Sequence, residues 1–129
     1  MIKDTFDAEN GILTAFFSGK FTAEEIVEWL RIINPERFPT RKLKILLDAS
    51  EGEYVFQPTQ LEKFDKPITD LCRSFESVKT AVIHKTPKET AYSLIISSKT
   101  ICKNYTEQTF SFKDAAIDWL LEAWMEGLV

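Results

Sequence analysis

The sequence predicts an α/β fold: an N-terminal β-hairpin, then alternating helices and strands that make a five-stranded, mostly parallel sheet with four main helices. Three observations carry this. Asn10-Gly11 separates two strand-like stretches, residues 2–8 and 12–18, and both residue types tolerate the positive φ of a tight hairpin turn. Residues 43–47 and 78–84 are apolar-rich runs that read as strands covered on both faces. Between and after these runs apolar residues recur at helical spacing, and such alternation gives a parallel sheet with right-handed crossovers.

The elements follow in order. Thr22 and Glu25 have the spacing of a reciprocal capping box, and Ile26, Val27, Trp29, Leu30 and Ile33 continue at helical intervals until Asn34-Pro35. Residues 43–47 form a buried strand closing on Asp48, and a loop is expected over 49–57. A helix starts near Pro58-Thr59, with Leu61, Phe64, Ile68, Leu71 and Phe75 in one register. Pro67 interrupts it, so one kinked helix is expected, with two shorter helices as the alternative. Residues 78–84 form the next strand. Thr86-Pro87-Lys88-Glu89 combines a cap, a proline at the first helical position and an acid at the third, opening a helix to about Cys102. Residues 106–110 make the last strand, and Ser111 to Asp114 open a final helix with Ile117, Leu120, Leu121 and Trp124 on one stripe.

Composition narrows the function. At 129 residues the chain reads as a single domain over 1–129, and 44% hydrophobic with 28% charged residues gives it the makeup of a folded core. The net charge of −4 with no basic stripe argues against nucleic-acid binding, since phosphate neutralisation supplies most of that affinity. Its apolar runs are strand-length, far short of the ~20 residues of a membrane-spanning helix. The first residues, Met1-Ile2-Lys3-Asp4, lack a signal peptide's apolar segment, which points to the cytoplasm. Cys72 and Cys102 stand 30 positions apart without a partner motif, so reduced thiols are expected. With a single histidine, they do not make a metal site. No cofactor motif is present.

The order of elements, together with certain residues, resembles the SpoIIAA-like families of the STAS type, whose fold is shared with Sec14/CRAL-TRIO lipid-binding domains. The residues are Ser18 to Glu25 entering the first helix, Leu46-Leu47-Asp48 closing a buried strand, and Phe112 to Leu120 with its Asp118-Trp119-Leu120 ending. The resemblance implies a regulatory, non-enzymatic domain that binds a protein partner. It also implies a phosphorylated Ser or Thr at a helix start in the anti-sigma-factor antagonists. Here no Asp-Ser-Ser-Gly stands at that place, which leaves Thr59, and Ser50 earlier, as the hydroxyls for a phospho-switch. The Sec14 relationship implies the alternative, a carrier of a small or lipid-like apolar molecule. Its pocket would open near Leu61, Phe64, Ile95 and Ile96.

The residues themselves offer two further candidates. Strand exits in a parallel sheet lie on one edge, next to helix starts, where ligands tend to bind. Lys20, Asp48, Ser50, His84, Lys85 and Lys113 fall there. Lysine is unfavourable at the positive end of a helix dipole, so these residues are the candidate edge for a small anion or an acidic partner; the competing reading is solvated lysines beside ordinary caps. His84 with Ser50 and Asp48 is the one constellation suggesting catalysis, and it lacks a nucleophile elbow, a phosphate loop or a metal motif, so no catalytic residue is expected. The second candidate is aromatic. Trp119, Trp124, Met125, Leu128 and Val129 cannot all face one core from a single helix, which makes them the candidate surface of a homodimer.

Overall fold

A computed structural model describes residues 1–99 and 102–122. Its strands are β1 (Ile2–Asp7), β2 (Ile12–Phe21), β3 (Lys42–Tyr54), β4 (Ser77–Ile83) and β5 (Tyr105–Phe110). Its helices are α1 (Ala23–Arg31), α2 (Asp65–Ser74), α3 (Pro87–Ser98) and α4 (Lys113–Leu121), and a 3-10 segment, Pro58–Phe64, precedes α2. The five strands form one sheet in sequential order, with β1 antiparallel to β2 and every later pair parallel. This is the predicted fold.

Sequential order with crossovers of one hand places α1, α2 and α3 on the same face. The larger core lies there, built on Leu13, Phe17, Leu43, Ile45, Val78, Trp29, Ile68 and Leu71. The other face carries α4, whose fully buried Ala116 and Leu120 cover Leu46, Ala81 and Ile83. β4 is accordingly buried along almost its whole length, as its apolar-rich run implies.

Four local readings change. The hairpin turn is longer than two residues: Gly11 alone has a positive φ, of 73°, and its N–H closes on Asp7 O at 2.9 Å. The expected loop over 49–57 is mostly strand, since β3 runs to Tyr54 beside Ser18–Phe21 after a bulge opposite Phe16–Ser18. The helix expected from Pro58 is divided. Pro67 lies in the first turn of α2, where its missing N–H costs nothing, and the 3-10 segment ahead buries Leu61 and Phe64. Finally, Cys72 and Cys102 form a disulfide rather than two reduced thiols. The topology brings α2 beside the approach to β5, which a spacing of 30 does not reveal. Among the described residues no helix is long and apolar enough to cross a membrane.

The packing assigns the anchoring of α4 to one side chain. Leu120 is fully buried, while its neighbour Leu121 is 38% exposed. Leu120→Ala should therefore cost about 2–5 kcal/mol and Leu121→Ala well under about 1 kcal/mol in urea unfolding. Equal losses would show that α4 does not hold the second face through Leu120.

Candidate functional site

Strands β2 to β5 run the same way, so their ends share one edge of the sheet. Lys20 lies near the end of β2, in register with Glu53 of β3. Val55 follows β3, Lys85 follows β4 by two residues, and Phe112 and Lys113 follow β5. Lys20, Lys85 and Lys113 are all exposed. With them stand two apolar side chains that water does not favour: Val55 is 46% exposed and Phe112 74% exposed. Taken strand by strand these exits carry cationic and apolar side chains in turn, with Lys20 and Val55 beyond the level of Ile83 and Phe110, where β4 and β5 end. At α1 the Thr22–Glu25 capping box forms as predicted. At α3 the Thr86 hydroxyl instead donates to Glu89 Oε2 at 2.6 Å and caps no backbone group.

The other residues of the predicted edge lie elsewhere. Asp48 and Ser50 sit inside β3, at the bulge, because the strand continues beyond them. Asp48 Oδ1 accepts the Ser50 hydroxyl at 2.7 Å and the Ser50 N–H at 3.1 Å, which satisfies both side chains locally. Thr59, by contrast, is an exposed hydroxyl in the first turn of the 3-10 segment that follows β3. Trp119 is half-buried against its own sheet: its ring lies 5.6 Å from Phe110, and Lys79 Nζ stands 4.2 Å above it while donating to Trp119 O. That packing removes much of the reason for placing Trp119 in an interface. Trp124, Met125, Leu128 and Val129 lie outside the described residues.

His84 turns inward. It is 4% exposed, and its Nε2 stands 2.6 Å from Ser93 Oγ on α3. Burial lowers its pKa to about 4, against the opposing charge of Glu89, so the ring is neutral near pH 7. Ser93, His84 and Glu89 have the residue types of a nucleophile, base and acid. Glu89 is engaged by Thr86, and among the described residues His84 Nδ1 meets no hydrogen-bond partner. Ser93 lies mid-helix, where its N–H is committed to the helical ladder and is not free to bind an oxyanion.

Beside this pair, between the sheet and α1, α2 and α3, lies an internal cavity of about 60 Å³. Its wall is mainly apolar, and Phe64 and Ile96 of the predicted pocket helices line it. Leu61 is packed into the core and Ile95 is 41% exposed. Its polar groups are Tyr54, Thr80, Ser93, Tyr105 and Glu107. Tyr105 donates its phenol to Glu107 Oε1 at 2.7 Å. Burial raises the Glu107 carboxyl to about 7, the phenol's hydrogen bond only partly opposing it. Burial also raises the phenols of Tyr54 and Tyr105, helped in both cases by the charge of Glu107. Sequence reading missed this group. The signal available was the alternation of β5, which puts Glu107 on the half-buried side with Tyr105.

A crystal structure of an uncharacterised protein of the DUF3478 family from Shewanella loihica PV-4, described as having a SpoIIAA-like fold, superimposes with a TM-score of 0.57. The match covers 93% of this chain and 92% of that one, at 16% identity. The chain has a SpoIIAA-like fold. No family model and no curated protein matches it. The likeness was legible in the hairpin and in the order of elements of this SpoIIAA-like domain.

Buried His84 and half-buried Glu107 act oppositely on its stability. His84 titrates below its ordinary 6.5, so the unfolded chain takes up that proton first, and stability held above pH 6.5 is lost toward pH 4. Glu107 titrates above its ordinary 4.5, so the folded chain holds the extra proton, and stability held below pH 4.5 is lost toward pH 7. The two slopes offset between pH 4.5 and 6.5. Glu107→Gln should be more stable than the wild type at pH 8, by on the order of 1–3 kcal/mol, and should lose stability below pH 6.5 where the wild type is nearly flat. Urea unfolding at pH 5, 6 and 8 reads both effects; a variant weaker than the wild type at pH 8 contradicts them.

Proposed function

We propose that this SpoIIAA-like domain is a non-enzymatic regulatory or protein-interaction domain, resembling STAS proteins, that docks an acidic, partly apolar partner on its strand-exit rim. One observation carries the reading: Phe112 is 74% exposed at the start of α4, on the edge that also holds Val55, Lys20, Lys85 and Lys113. Exposed aromatics are enriched at binding surfaces, and the lysines select for carboxylates or phosphates. The fold likeness supports the regulatory part. The structural engagement of Ser93, His84 and Glu89 supports the non-enzymatic part. Thr59 is the better placed of the two switch hydroxyls, since Ser50 is held by Asp48. A phosphate there would add about two negative charges to the segment entering α2. A symmetric dimer, the default for self-association, would meet through another surface, since across a two-fold axis the rim lysines would face one another.

The second reading, a small-molecule carrier, is favoured by the cavity. Its 60 Å³ lies far below the ~300–1,000 Å³ of typical ligand pockets, which ranks it second and limits it to a small ligand rather than a lipid chain.

Matched affinity captures with the wild type, Phe112→Asp, and a Lys20/Lys85/Lys113→Gln triple variant test the rim. An acidic protein bound by the wild type should weaken roughly thirtyfold on Phe112→Asp, and the triple variant should remove the salt dependence of binding. Partners that bind all three baits equally would place the interface elsewhere. Native mass spectrometry of the fresh protein, showing extra mass lost on denaturation, would move the assignment to the carrier reading.

A further inference from the structure

We infer that the internal cavity binds a small organic cation, an alkylammonium of a few heavy atoms, whose charged nitrogen pairs with Glu107. The inference rests on the carrier reading of the cavity and names the chemistry of its ligand.

Three features of the wall point to a cation. First, the polar end is acidic and uncompensated. Glu107 lines the cavity, Glu89 is buried close to Tyr54 and His84, and among the described residues no lysine or arginine is in the lining. A buried carboxylate without a cation is costly, and a charged partner relieves that cost. Second, the polar groups have capacity left over. Among the described residues Glu107 receives a single hydrogen bond, from Tyr105, although a carboxylate accepts several. The Thr80 hydroxyl faces the Tyr105 phenol yet reaches no partner at hydrogen-bonding geometry. An ammonium group brings the donors that these acceptors lack. Third, the rings of Phe17, Trp29 and Tyr54 also line the cavity, and aromatic faces attract cations as well as alkyl groups.

The volume sets the size. About 60 Å³ is roughly twice the ~30 Å³ share of one liquid water, so the cavity takes about two or three heavy atoms as it stands. For so few atoms the affinity is millimolar or weaker.

Methyl NMR on the intact protein reads the site directly, because Leu30, Ile45, Leu47 and Ile96 line it. The probes are ethylammonium chloride, ethanol and sodium acetate at constant ionic strength. At pH 8 ethylammonium should give saturable shifts confined to the methyls that line the cavity, with ethanol at least tenfold weaker and acetate without effect. Glu107→Gln should weaken ethylammonium at least tenfold and leave ethanol unchanged; its own methyl spectrum reports whether it folds as the wild type does. The wild type provides the same comparison without a mutation. At pH 5.5 the carboxyl, which titrates at about 7, is protonated, and ethylammonium should again lose at least tenfold. Tyr54 and Tyr105 stay neutral across this range, as does His84 with its value of about 4, while Glu89 is the other acid nearby. Ethanol binding as well as ethylammonium, or ethylammonium unaffected by both Glu107→Gln and pH, would leave a ligand cavity but overturn the cation. No shift from either probe would overturn the carrier reading with it.

Discussion

The molecule depends on covering the two central strands on both faces. β3 and β4 carry apolar side chains on each side, and neither can be left to water without losing much of the core. Three crossover helices of one hand can cover only one face. The second face is closed by α4, entered from β5, whose Leu120 and Ala116 seal Leu46, Ala81 and Ile83. That single helix gives the fold its second layer. It also fixes where β5 must end, and so places Phe112 and Lys113 at the sheet edge rather than over the core.

The same constraint explains what could be read from the sequence. Double-sided burial leaves an apolar-rich run, capping leaves Thr22 and Glu25, and a hairpin leaves Asn10-Gly11; each is local, and each led to an element that is present. What could not be read depends on pairing across the sheet. Asp48 looked like the end of a strand because polarity rises there, yet Ser18–Phe21 continues alongside and draws the chain on to Tyr54 through a bulge. Cys72 and Cys102 gave no sign of their bond because helix packing makes it. The rim lysines were legible since exits follow from strand direction. His84 was not, because its position one residue past β4 does not say whether the ring turns outward or toward Ser93.

The two candidate sites divide the charged groups by sign. The rim has lysines in water beside Val55 and Phe112, where screening keeps each charge cheap and a partner can reach it. The interior has carboxyls and phenols shielded from water, where each charge is expensive. A surface of the first kind suits a transient partner, and one of the second suits a ligand or a structural hydrogen-bond network. α3 touches both: its start follows the exit at Lys85, and its middle brings Ser93 to the cavity wall.

Glu107 decides how the interior is to be understood. A network kept only for stability would do better with a neutral residue at that position. Glutamine would accept from Tyr105 without the cost of burying a carboxylate, and that cost is what holds the Glu107 pKa near 7. The cavity wall is otherwise mainly apolar, with Phe17, Ile45 and Ile68 buried in it. An acid in such surroundings, bonded once among the described residues and lining a small void, departs from the consistency that stability alone favours. Departures of this sort concentrate where a protein binds something. The edge strand β5 is a suitable place for one, since only one neighbour, β4, constrains its register.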